Sequence, residues 1–145
     1  MINKTTVKTA LFALTGTLFL VSGAVKAADA TGTWTTEGGK SHVKISRCGE
    51  NLCGNIVSLA TPNDETGKPK TDHNNEDESK RTRPILGMQI VLGMAPNGDN
   101  FKGRLYNPED GKTYTGYLKL TDDSHIEVKG CVMGILCKSQ TWTRN

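Results

Sequence analysis

The stretch FKGRLYNPEDGKTYTGYLKLTDDSHIEV, residues 101–128, decides the fold. Phe101 and Leu105 alternate with Lys102, Arg104 and Tyr106, so this segment reads as a strand with one apolar and one polar face. Tyr114, Leu118 and Leu120 then alternate with Thr113, Thr115, Tyr117 and Lys119. Ile126 and Val128 oppose His125, Glu127 and Lys129 in the same way. Asp110-Gly111 lies between the first two segments, and such residues tolerate the positive φ that tight reversals need. Three short strands in antiparallel succession follow from these residues alone.

Working outward, the same period-2 rule holds for Val43 and Ile45 against Lys44 and Ser46, and for Met88, Ile90 and Leu92, which share a face. Gly38-Gly39 and Asn97-Gly98 supply further turns. The pattern predicts about eight strands, near residues 32–36, 41–47, 52–59, 86–93, 101–106, 112–120, 124–130 and 138–144. No long stretch has helical period. A meander of this kind buries its apolar face by closing on itself, and eight strands leave an interior just wide enough for side chains or one small ligand. A β-sandwich explains the alternation equally well. It does not explain why Gly32-Thr33-Trp34 starts the first strand and Trp142-Thr143-Arg144 ends the last. In a barrel those strands are neighbours, and the Arg144 guanidinium lies across the Trp34 indole to shut one end. Trp142 shares the Arg144 face. All three residues read as structural closure, burial being the usual work of large aromatics.

The chain begins with an export-signal pattern: Lys4 and Lys8, an apolar run from Ala10 to Val21, and small residues that place the cut after Ala27, with Ala30 the alternative. Residues 1–27 are expected to be removed, leaving residues 28–145 as one β-barrel domain. The apolar run is too short for a spanning helix, so no membrane span is expected in the mature chain. The whole sequence carries 18 Lys+Arg and 15 Asp+Glu. Lys4, Lys8 and Lys26 all lie in the signal, so the mature domain is neutral and lacks the basic footprint of a nucleic-acid or anionic-lipid binder. Export implies a periplasmic or secreted protein and an oxidising compartment. The 4 cysteines then read as two disulfides. Of the three possible connectivities the local one is favoured, since Cys48 and Cys53 flank a four-residue hairpin loop and Cys131 and Cys137 close a similar loop through Gly134.

Residues 60–84 break the strand pattern with a long, charged loop, read as a lid over the barrel mouth. Asn75 followed by Glu78 resembles a capping box. Acids at 76–78 and Lys80-Arg81 suit the two ends of one short helix stopped by Pro84.

Taken together, Gly32-x-Trp34, Cys48-Gly49-x-x-Leu52-Cys53-Gly54-x-Ile56, Asp72-x-x-Asn75, Arg81-x-Arg83-Pro84-x-x-Gly87, Tyr106-Asn107-Pro108-Glu109-Asp110-Gly111-Lys112-x-Tyr114 and Trp142-x-Arg144 resemble the bacterial exported family called domain of unknown function 2147. The resemblance spans essentially the whole mature chain. It implies a lipocalin-like small antiparallel barrel and brings no catalytic set with it.

The expected function is a non-enzymatic binding module that holds a small apolar or amphipathic molecule inside the barrel. The expected contacts are Ile45, Ile56, Met88, Ile90, Leu92, Tyr114 and Leu118, with Val128 in the same inward set, and with Arg81 and Arg83 on the lid as clamps for an anionic head. The bland reading of Arg83 is an ion pair with Asp72 or a bond to a loop carbonyl. The alternative function is a structural or partner-binding envelope protein with a filled barrel. His42, His73 and His125 are scattered, and the acids at 72 and 76–78 lack the spacing of a calcium loop. No catalytic residue, metal site or cofactor is therefore expected. A hydrolase with an unannounced site is the third reading.

Overall fold

The computed structural model describes residues 29–145. The expected export signal lies outside the described residues. Eight strands, β1 (Gly32–Thr35), β2 (Ser41–Cys48), β3 (Asn51–Leu59), β4 (Gln89–Asn97), β5 (Asn100–Asn107), β6 (Lys112–Asp122), β7 (His125–Val132) and β8 (Leu136–Arg144), close in chain order into an antiparallel barrel. The seam pairs Trp34 with Arg144 and Thr35 with Thr143. One end of the barrel carries the start of β1, the end of β8 and the β2–β3, β4–β5 and β6–β7 turns. The other carries the long β3–β4 connection and is the lid end.

Alternation fills the interior. Val43, Ile45, Leu52, Val91, Met94, Leu118 and Ile126 are essentially without solvent contact and form one cluster with Trp34, Ile56, Val128 and Trp142. Burying each such side chain contributes about 1.5–3 kcal/mol, so the barrel wall carries most of the stability. Facing glycines make room for this packing. A Cβ on Gly103 would lie 2.9 Å from Met94 Sδ, and one on Gly116 would lie 2.6 Å from Met94 Cε and 2.5 Å from Leu105 Cγ. Met94 therefore lies inside the barrel along the adjoining β5–β6 wall, over two paired positions that have no side chain.

Two expectations need correction. In β4 the register shifts between Leu92 and Ala95, around Gly93. This bulge turns Val91 and Met94 to the core, each 0% exposed, while Leu92 is only half-buried. Met88, Ile90 and Leu92 thus do not form the inward row, although Met88 and Ile90 are buried. The short helix is also different. It is a single 3-10 turn, Glu78–Lys80, capped by Asp77, whose side chain accepts a hydrogen bond from Ser79 N. Asn75 is not its cap: its Oδ1 accepts from Asp77 N, one residue before the turn begins, while its Nδ2 is drawn into a buried cluster with Asp72 and Tyr106. The rest of the 60–84 segment is less irregular than its composition suggests, since bridges join Asn63 to Pro69 and Thr71 to Pro84.

Candidate functional site

The end opposite the lid is locked. Trp34 is fully buried and its Nε1 donates to Ala30 O at 2.9 Å. Arg144 Cζ stands 4.2 Å from the indole centroid. Its Nε, Nη1 and Nη2 donate to the carbonyls of Asp123, Thr31 and Asp29 at 2.7–2.8 Å. Gly32 is required here, because a Cβ would sit 2.7 Å from Arg144 Nη1. Trp142, also buried, donates from Nε1 to Gln140. A guanidinium bonded to three backbone carbonyls and stacked on a ring face holds the base of the barrel shut.

The lid end is organised around one buried carboxylate. Asp72 is 0% exposed. Its Oδ1 accepts from Tyr106 Oη at 2.6 Å, and its Oδ2 accepts from Asn75 Nδ2 at 2.7 Å and from Arg83 Nε at 2.8 Å, with the ion pair completed by Arg83 Nη2 2.8 Å from the same oxygen. Asn75 Nδ2 also donates to Tyr106 Oη at 2.9 Å, and the Arg83 guanidinium lies 5.3 Å from the Tyr106 ring centre. Backbone bonds from Asp72 N to Arg83 O and from Asn75 N to Asp72 O complete the knot. Tyr106 stands in the outward phase of β5 with Lys102 and Arg104, yet is only 8% exposed, because the lid folds down onto it. Burial first, then the bond to Asp72, pushes its phenol above the ordinary tyrosine value.

A second anchor fixes the same segment to the β5–β6 turn. Gly111 adopts φ 73° and lies so close to the Asn74 and Asn75 backbone that a Cβ would overlap Asn74 O. Asn74 Nδ2 donates to Glu109 O at 2.9 Å, and Glu109 in turn pairs with Lys40 of the β1–β2 turn at 2.8 Å. Tyr114 donates its hydroxyl to Asp110, which raises its pKa.

Between the docked lid and the barrel rim runs an open cleft of about 580 Å³. Leu92, Tyr114 and Val132 give it an apolar floor, and Glu76, Lys80, Arg83 and Lys112 give it charge. Arg83 is committed to Asp72 and Lys80 to Asp77, whereas Lys112 and Glu76 have no ion-pair partner among the described residues.

Of the residues singled out from sequence, Arg83, Leu92 and Tyr114 line this cleft. Ile45, Ile56, Met88, Ile90 and Leu118 do not; they are packed in the core. Arg81 also lies elsewhere, with Nε on Asn75 O and Nη1 on Glu78, so it braces the lid backbone. Asp72, Asn75 and Tyr106 were not marked as site residues, and periodicity gave Tyr106 to the polar face. Their signals were the motif set shared with the resembled family and, for Asp72, the ion pair read for Arg83. His42 meets Ser58 Oγ at 2.7 Å across the β2–β3 ladder, His125 meets Asp122, and His73 meets Thr71 O, all outside the cleft. Cys48–Cys53 and Cys131–Cys137 form the two local disulfides.

A closed eight-stranded antiparallel barrel with a sealed base and a lidded rim defines the lipocalin-like class. The chain belongs to the family described as "Uncharacterized protein conserved in bacteria (DUF2147)", whose model matches residues 32–144. Its structure is similar to that of protein HP1028 from the human pathogen Helicobacter pylori, described as belonging to the lipocalin family. The TM-score is 0.69 at 21% identity, covering 81% of this chain and 84% of that one. At that identity the likeness shows the fold. A comparison with curated protein sequences returns no match. Two disulfides in a member of a bacterial family point to an extracytoplasmic protein.

Proposed function

We propose that the protein is a non-enzymatic periplasmic or secreted binding module that holds a small amphipathic molecule in the cleft between lid and rim. The supporting observation is the cleft itself: about 580 Å³, within the range of ligand pockets, with an apolar floor of Leu92, Tyr114 and Val132 beside unpaired Lys112 and Glu76. The packing of Met94 over Gly103 and Gly116 argues for the rim rather than the barrel centre as the place for a guest. With Arg83 and Lys80 already neutralised, the head group that fits best is one that both accepts and donates hydrogen bonds. The second reading, a filled barrel that serves as a partner-binding envelope protein, draws on the same Met94 packing.

Residues 28–145 titrated with an anionic apolar fluorophore, anilinonaphthalene sulfonate, test the proposal. Saturable binding is expected, weakened about tenfold by Lys112→Glu and by Leu92→Asp. Absence of saturable binding, or binding indifferent to both substitutions, refutes the cleft and favours the filled-barrel reading.

A further inference from the structure

We infer that the tip of the β7–β8 hairpin is a wedge that docks the protein on an anionic lipid surface. Val132, Met133, Ile135 and Leu136 are 46%, 89%, 79% and 70% exposed, and only Gly134 separates them. The chain's other hairpin turns end in polar residues: Gly49-Glu50, Gly98-Asp99, Asp123-Ser124 and Pro108-Glu109-Asp110. Here alone the tip is apolar.

Folding does not account for the choice. Ile135 N bonds to Val132 O, while Met133 has φ 52° and Gly134 φ 71°, the two left-handed residues of a type I′ turn. Met133 is the single non-glycine residue with positive φ among the described residues. Asparagine or aspartate suits that position; methionine is strained there and, being fully out in solvent, gains nothing by packing. A strained apolar residue held in water at a hairpin apex points to a contact the isolated protein does not make. The Cys131–Cys137 bridge, between directly opposed residues, fixes the apex just below the turn, so little order has to be gained on docking.

The occupant follows from charge and shape. The mature chain is neutral overall, but residues 128–143 contain Lys129 and Lys138 and no acid. Lys138, exposed two residues behind Leu136 and without an ion-pair partner among the described residues, can reach lipid phosphates while its stem lies along the hydrocarbon; Lys129, its ammonium 5.2 Å from the Tyr117 ring centre, adds positive charge to the same hairpin. A narrow convex apex inserts into a bilayer surface more readily than it mates with a flat protein face. A second copy is disfavoured as the occupant. Although β8 has no ladder partner beyond Thr143 on its β1 side, Lys138 stands in the middle of that edge and would meet its own copy. Docking is peripheral, since the outward face of the barrel wall carries the exposed Lys44, Lys102, Arg104 and Lys119, charges that a lipid-facing wall does not hold. Val132 belongs to both apex and cleft floor, so docking brings the cleft to the lipid surface.

The test is co-sedimentation of residues 28–145, which close their own barrel, with vesicles of phosphatidylglycerol and phosphatidylcholine in equal parts, no other guest being present. The wild type is expected to partition onto them and much less onto phosphatidylcholine alone. The double variant Met133→Asn, Ile135→Ser is expected to bind at least about tenfold more weakly. Met133→Asn alone, by relieving the turn, is expected to raise the melting temperature while lowering binding, a combination that a structural role does not produce. Unchanged vesicle binding by the double variant, no binding by the wild type, equal binding to both vesicles, or a concentration-dependent dimer dissolved by the double variant overturns the inference. The cleft is read separately, by the fluorophore titration in the absence of lipid and its response to Leu92→Asp, so each of these results leaves the cleft proposal standing.

Discussion

Replacing Tyr106 by phenylalanine removes one oxygen and keeps the ring, which isolates the hydroxyl's part in holding the lid. That hydroxyl donates to Asp72 Oδ1 at 2.6 Å, whereas the other donors, Asn75 and Arg83, are on Oδ2. In the variant Oδ1 stays buried without its side-chain partner. A hydrogen bond to a charged group is worth about 1.5–3 kcal/mol, and at a carboxylate with no solvent contact the upper half of that range applies. Arg83 Nε and Nη2 both lie 2.8 Å from Oδ2, so in the native geometry the guanidinium leaves Oδ1 to the tyrosine. The loss should appear first as lid opening, since the barrel core does not depend on this bond. Hydrogen exchange of the amides of Asp72, Asn75 and Ile85, whose acceptors are Arg83 O, Asp72 O and Lys70 O, reads that opening directly. Protection there is expected to drop by about 45- to 150-fold, while amides of β6 and β7 change far less. A change under twofold at these three amides, with an unaltered melting temperature, would show that the hydroxyl does not hold the lid.

Three further outcomes follow from the same geometry. The fold favours the neutral Tyr106 phenol, held above its usual value by burial and by Asp72. Its contribution is whole below about pH 10 and lost as pH climbs through the raised value, so an alkaline denaturation series should fall more steeply for wild type than for Tyr106→Phe, with Tyr114 adding the same slope to both. Gly111→Ala forces a side chain into φ 73° and onto the Asn74 carbonyl, so it should cost at least about 2 kcal/mol in urea unfolding and release the same lid amides. Replacing Cys131 and Cys137 together by serine opens a short loop and should lower stability by about 2 kcal/mol by the same measurement, with no cross-link left to stiffen the 132–136 apex.

The barrel was legible because its residues obey a local rule. Phe101 through Val128 alternate cleanly, and in β6 and β7 the alternating residues Leu118, Ile126 and Val128 are the ones buried. Trp34 and Arg144 announced the seam because a cation and an indole at opposite ends of a chain have few other reasons to match. β4 was misread because a bulge at Gly93 changes the phase midway, and a period-2 reading carries no information about where a ladder slips. The lid knot was hidden for a different reason. Tyr106 is exposed by its own strand's phase and becomes buried only when Asp72, 34 residues earlier in sequence, folds over it. No window of neighbouring residues contains that event. Arg83 shows the intermediate case: its pairing with Asp72 was one of two readings, and only the distance between them separates a lid brace from a ligand clamp.

The two ends of the barrel differ in how they are held, and that difference indicates where function can reside. At the base, Arg144 makes three bonds to main-chain carbonyls while stacked on a fully buried indole, and opening it would unpair the first and last strands and so the whole fold. At the lid end, the Asp72 knot, the Asn74–Glu109 bond and the Glu109–Lys40 pair can part while all eight strands stay intact, because none of them belongs to the ladder. Lid opening therefore draws on about the energy of a few side-chain hydrogen bonds, and base opening on that of global unfolding. A guest that must enter and leave on a biological timescale has to use the side whose closure is reversible, and the cleft and the apolar hairpin apex both lie on that side.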